Sequence, residues 1–267
     1  MVLSIAGFDP SSGAGVTADL KVFVAQGLYG MACITALTVQ STLGVRAVEP
    51  VGAATVAATL RALAEDVTFS GVKVGMLATA EICGVVGEFL ESIPGVPVVL
   101  DPVLRSSSGR ELLETAGVRV VRERLLARVD WTTPNWEELA TLTGATVASR
   151  EDVALAAGKL RKMAQGLGNE RLNISVTGGE INPPEDYLLS GAGDYRWICG
   201  ERVETSSTHG TGCAFSSALL CRLVAGDSSL IAAIRAKEYV TEALLAAYPV
   251  GRGNGPMHHL FKLDEDL

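Results

Sequence analysis

Six residues, Thr208-His209-Gly210-Thr211-Gly212-Cys213, combine the means to hold an anion with the means to move a proton. Two glycines in three residues free the backbone to turn several N–H groups in one direction. The apolar, small-residue run from Ala214 to Leu223 then reads as a buried helix. Its first turn adds unpaired N–H groups and the positive end of the helix dipole. Such a corner suits a phosphate or an oxygen on which charge develops. Cys213 falls on that first turn, where a thiol pKa is commonly lowered, so a base would stand beside the anion cradle. The plainer alternative is a tight strand-to-helix turn with Cys213 as a small core filler.

Other residues with chemical capacity sit where strands should end. Asp9 opens a Gly/Ser/Pro loop, Gly7 to Gly15, in which Ser12 or the following Thr17 is expected to cap the next helix. Asp19, on that helix, is either a surface carboxylate or an acceptor facing a ligand's amino group. Gln40 donates and accepts at once, which suits the edge of a heteroaromatic ring. Asp101-Pro102 closes one strand and Asn135-Trp136-Glu137-Glu138 opens a helix. Carboxylates so placed can hold Mg²⁺ directly or through water, with substrate phosphates completing the shell, although Asn and Glu are also ordinary capping residues. Val176-Thr177-Gly178-Gly179 repeats the strand-then-glycine theme. Together these groups point to phosphoryl transfer, in which positioning and electrostatics do most of the work and few side chains are required.

The elements that must position them follow from the pattern. Short apolar strands alternate with helices through the first two-thirds of the chain: Val2 to Ala6, Met31 to Gln40, Gly71 to Val74, Pro97 to Leu100, Trp131 to Thr133 and Leu172 to Val176. That alternation predicts an α/β fold with a mostly parallel sheet covered on both faces, and one domain over residues 1–267. Ligands of such sheets bind beyond the carboxyl ends of the strands. A hairpin is expected from Tyr187 to Cys199, then two helices.

Composition excludes several classes. The chain has 267 residues and a net charge of −8, with no basic stripe, so nucleic acid is not an expected partner. No apolar run approaches the roughly 18 residues of a membrane span. Five scattered cysteines form no C-x-x-C pair, and the expected setting is the cytoplasm. Gly13-Ala14-Gly15-Val16-Thr17-Ala18 matches a dinucleotide fingerprint, but it lies too far beyond its strand and lacks the acidic ribose partner. No Lys completes a Walker loop.

In combination these stretches resemble the hydroxymethylpyrimidine kinase/phosphomethylpyrimidine kinase family of thiamine biosynthesis, within the ribokinase-like fold. The resemblance runs from Ile5–Gly15 with Ala18-Asp19-Leu20-Lys21, through Lys73–Leu77, Asp101-Pro102-Val103 and Thr133-Pro134-Asn135 with Glu138, to Thr208–Cys213 and Gly255–His259. It implies a three-layer α/β/α sandwich. It also implies ATP- and Mg²⁺-dependent phosphorylation of 4-amino-5-hydroxymethyl-2-methylpyrimidine and then of its monophosphate, in a homodimer. By similarity, Ala14, Asp19, Gln40, Met76 and Val103 line the pyrimidine pocket, and Gly210, Thr211 and Gly212 form the anion hole beside the base Cys213. Asp101 and Glu138 serve Mg²⁺, while Asn135 and Thr177 serve the nucleotide phosphates. A related fold member acting on pyridoxal, or a catalytically impaired pyrimidine binder, is the alternative. The family usually has Lys at Thr177 and near Ser107, and an acidic residue near Ser190. A missing lysine removes a point charge from the phosphates, so Thr177→Lys is expected to lower the Michaelis constant for ATP in steady-state assays.

Overall fold

The computed structural model describes residues 1–179 and 181–266. Nine strands form one sheet in the order β3-β2-β1-β4-β5-β6-β7-β8-β9. In chain order they are β1 (Val2–Phe8), β2 (Gly30–Ser41), β3 (Gly44–Pro50), β4 (Gly71–Val74), β5 (Val98–Leu100), β6 (Trp131–Thr132), β7 (Asn173–Val176), β8 (Glu185–Leu189) and β9 (Tyr195–Cys199). The strands from β2 to β7 across the middle are parallel, and β3, β8 and β9 are attached by antiparallel hairpin pairing at the two ends. The helices are α1 (Gly15–Ala25), α2 (Ala53–Asp66), α3 (Ala80–Ser92), α4 (Thr115–Glu123), α5 (Trp136–Thr143), α6 (Arg150–Gly166), α7 (Thr211–Val224) and α8 (Ser229–Leu245).

Period-two alternation in the central strands divides the core between the sheet's faces. Leu3, Ile5, Val72, Val74 and Leu100 pack with α2 to α6, whereas Val2, Val99 and Trp131 pack with α1, α7 and α8. This is a three-layer α/β/α arrangement, and the strands and helices read from sequence pattern recur with small shifts at their ends. No helix of the described residues is long and apolar enough to cross a membrane.

The chain leaves β1 in one direction toward β2 and returns on its other side with β4. Such a reversal opens a crevice at the carboxyl ends of the strands. Asp9, Met76, Asp101, Asn135 and Thr177 each follow closely on a strand at that rim, and Gln40 lies near the end of β2.

The loop between β1 and α1 is organised differently from its expected capping. Ala14 is the N-cap residue of α1 and offers no side chain. Thr17 instead bonds back to the carbonyls of Asp9 and Ala14. The Asp9 carboxylate does the ordering, accepting N–H groups of Ser11, Gly13 and Ala14 at 2.8, 3.2 and 2.9 Å. The tail after α8 crosses back to the same loop. His209 N–H donates to Gly255 O at 3.0 Å, and His259 Nε2 reaches Gly13 O at 3.0 Å. His258, beside it, packs edge-on against Tyr248.

His259 is buried, and burial lowers its pKa from the usual 6.5 to about 4 although the Gly13 carbonyl favours the proton. As pH falls, the unfolded chain takes up this proton first. The contribution is therefore intact above about 6.5 and is lost between 6.5 and 4, on the order of 3 kcal/mol in all. Urea midpoints measured across that range should fall, and His259→Gln should flatten this part of the slope.

Candidate active site

A cavity of about 1060 Å³ opens at the rim where these strands end. Its lining includes Ala14, Gln40, Met76 and Val103, together with Asp101, Asn135, Glu138, Thr177 and the whole run Thr208–Cys213. The fold thus brings together groups from opposite ends of the chain.

The anion corner takes its shape from close backbone approach. Gly210 is the N-cap of α7 at φ 84°, and a Cβ there would collide with the carbonyl of Gly13. A Cβ on Gly13 would in turn strike the His209 ring. The two glycine loops therefore interlock, and only glycine permits it. Thr211 begins α7, so the N–H groups of its first turn have no carbonyl one turn earlier to meet. His209 is fixed from the side, with Nε2 at 2.8 Å from Asp9 Oδ2 and 3.0 Å from Gln40 Nε2. Burial alone would raise Asp9, but hydrogen bonds from His209 and Ser11 hold it down to about 2. The other end of the Gln40 amide meets Thr38 Oγ1 at 3.1 Å, so the amide plane is held between Thr38 and His209.

Asp19 departs from the expectation that it lines the pocket. It is fully buried, lies off the cavity wall, and forms a salt bridge with Lys73, with both carboxylate oxygens 3.0 Å from Nζ. Ser4 and Ser217 donate to it at 2.6 and 2.8 Å. The sequence held a signal for this. Asp19 falls on the buried stripe of α1 with Val16, Val22 and Phe23, and Lys73 sits in the wholly buried strand Gly71–Val74. Charges at such positions have to be paired. Burial disfavours the Lys73 charge, but Asp19, Cys213 and Asp101 more than offset this and raise its pKa.

Cys213 also departs from expectation. Its position on the first turn of α7 suggested a lowered pKa, yet burial pushes the thiol up to about 12. Lys73 and the N–H of Gly15 oppose the rise, whereas Asp101 and Asp19 add to it. The resting sulfur is therefore protonated, with the Asp101 carboxylate among the groups that raise its pKa. Asp101 also accepts from Ser216 Oγ at 3.1 Å, and its Oδ2 lies 3.9 Å from Lys73 Nζ. Burial raises the Asp101 pKa against the pull of Lys73.

Asn135 and Glu138 form a reciprocal capping box on α5, with contacts of 2.8 and 2.9 Å. Burial, with Asp101 nearby, raises Glu138 to about 8. Two buried carboxylates that repel one another at the cavity edge fit a hydrated divalent cation. With Glu138 Oε2 already holding the Asn135 N–H, the fit is to a metal bound through water. Thr177 and Ser107 line the cavity without charge, and Ser190 lies away from it in the β8–β9 turn.

Removing one partner of a buried ion pair strands the other charge, at a cost of about 3–5 kcal/mol. Lys73→Met is expected to lose that much stability in denaturant titrations, and Asp19→Asn in the same chain to recover a large part. Strictly additive losses would contradict the pairing.

The chain is similar to known kinases over nearly its whole length. The family model described as phosphomethylpyrimidine kinase matches residues 9–258. The hydroxymethylpyrimidine/phosphomethylpyrimidine kinase of Streptomyces coelicolor is 38% identical over 265 residues, covering 99% of this chain and 96% of that one. Among solved structures, phosphomethylpyrimidine kinase from Clostridium difficile 630 aligns with a TM-score of 0.76 at 32% identity, over 91% of this chain and 98% of that one. An ADP complex of Bacillus subtilis pyridoxal kinase aligns with a TM-score of 0.84 at 28% identity, over 98% of both chains. The chain belongs to the phosphomethylpyrimidine kinase family and is a kinase of the ribokinase-like fold.

Proposed function

We propose that this chain transfers the terminal phosphoryl group of ATP to the hydroxymethyl group of 4-amino-5-hydroxymethyl-2-methylpyrimidine, and then to the monophosphate so formed. The observation that carries this is the meeting, in one cavity, of the Gly210–Gly212 corner, the Cys213 thiol and the Asp101/Glu138 carboxylates beside Gln40, Met76 and Val103. The name of the Streptomyces relative gives the substrate pair, and the ADP complex of the Bacillus kinase supports ATP as donor.

The main-chain amides of Gly210, Thr211 and Gly212 take up charge on the moving phosphoryl group. The substrate hydroxyl gives its proton to Cys213 Sγ as the thiol proton passes to Asp101, so no free thiolate has to exist beforehand. Gln40, oriented by Thr38 and His209, and the apolar walls of Met76 and Val103 hold the ring; Ala14 lets it approach the loop. Asn135 and Thr177 face the nucleotide phosphates. Mg²⁺, held through water by Asp101 and Glu138, would neutralise phosphate charge. Asp19 has no place in substrate contact and acts through Lys73. The exposed Leu37, Val39 and Leu43 along β2 and its turn support a homodimer in which a second copy covers them. The acidic composition and family membership support a cytoplasmic setting.

The two steps differ in their need for a base, because a phosphate monoester is already largely ionised near neutral pH, with a second pKa of about 6. Cys213→Ala is therefore expected to slow the first phosphorylation by about 10²-fold or more and the second far less. Mass spectrometry of products from ATP, Mg²⁺ and the pyrimidine, with pyridoxal as the competing alcohol, checks both statements. Preferential phosphorylation of pyridoxal would reassign the substrate, and near-normal first-step rates in Cys213→Ala would reduce the thiol to packing.

A further inference from the structure

Cations are scarce where the nucleotide phosphates would lie. Thr177 and Ser107 line the cavity and carry no charge. Among the described residues lining it, the arginines are Arg105, Arg119 and Arg122, and there is no lysine. Carboxylates are more numerous on the same walls. Beyond the α7 amides and a divalent cation, a triphosphate entering this site meets more acidic than basic side chains.

Arg105 is placed to do so. It lies in the stretch after β5 that begins at Asp101, and a β-bridge pairs it with Glu111. Its Nη1 is 2.9 Å from Glu137 Oε1, and its Nη2 is 3.7 Å from Glu111 Oε1. Glu137 stands on the first turn of α5 between Asn135 and Glu138, so the guanidinium is parked beside the residues assigned to the phosphates and the metal. Both partners are mostly solvent-exposed, at 65% and 74%, and such surface pairs contribute about 0–1 kcal/mol. Arg119 and Arg122 stand on α4 rather than on the stretch that begins at Asp101. A phosphate chain offers more charge than either carboxylate, and a geometry that matches the guanidinium fork.

We propose that Arg105 is the phosphate-binding cation of this chain, leaving Glu137 and Glu111 to grip the nucleotide's phosphate chain. The assignment rests on the kinase reading but not on which alcohol is phosphorylated. The test is calorimetric titration with Mg·ADP alone, followed by steady-state kinetics with ATP. Arg105→Ala should weaken Mg·ADP binding and raise KM for ATP by about tenfold or more, with KM for the alcohol unchanged. Arg105→Lys should retain part of the affinity, and Thr177→Lys added to Arg105→Ala should restore it. Arg105→Gln serves as a second variant reading the same affinity should Arg105→Ala fold poorly. Mg·ADP affinity equal to that of the parent chain in the charge-removing variants overturns the proposal. Since the titration contains no pyrimidine, a wrong alcohol assignment leaves its result unaffected; a parent chain that binds no Mg·ADP ends the kinase reading and this proposal together.

Discussion

The ion pair between Lys73 and Asp19 is the interaction on which the site's geometry depends. It ties the middle of β4 to the first helix at full burial, and the hydroxyls of Ser4 and Ser217 bring β1 and α7 to the same point. Four elements are thereby registered against one another by directional contacts rather than by apolar packing alone. A lone charge here would be costly, so the pair also excludes alternative packings of α1 against the sheet. Asp101 and Cys213 sit at its edge; burial is the largest influence on their proton affinities, and Lys73 and Asp19 pull on them in opposite directions.

Above this charge cluster, two glycine loops from opposite ends of the chain share a surface. Gly13 and Gly210 meet backbone to backbone, His209 fills the space that a side chain on Gly13 would take, and His259 holds the Gly13 carbonyl from the far side. The amides at the start of α7 therefore face the cavity from a fixed frame. Little reorganisation is needed when charge develops there, which is where electrostatic stabilisation is most effective. Ser12, at φ 59°, keeps a left-handed conformation within the same loop, a local cost that the surrounding contacts sustain.

The chemistry of the resting site is that of a protonated thiol among carboxylates. Position on a helix N-terminus stabilises a thiolate, yet here desolvation and the neighbouring Asp101 and Asp19 outweigh the dipole and Lys73. Phosphoryl transfer tolerates this because its loose transition state asks little of the base and much of charge placement. In our proposal, an acidic chain that binds a polyanion relies on oriented amides, a divalent cation and cationic side chains such as Arg105.

How much was legible beforehand varied with the range of the interaction. Alternating short apolar runs and helical spacing determined the α/β layers, because burial of one face per element is a local property. The glycine pair before an apolar helix determined the tight turn at the start of α7 for the same reason. Lys73 in an apolar strand and Asp19 on an apolar helical stripe were visible as anomalies, but their pairing was not, since fifty-four positions separate them. Only the tertiary structure decided that Asp19 faces inward, that the Cys213 thiol is raised rather than lowered, and that Arg105 pairs with Glu137 on the first turn of α5. Orientation and desolvation depend on everything packed around a group, whereas composition and spacing report only what the chain carries along its own length.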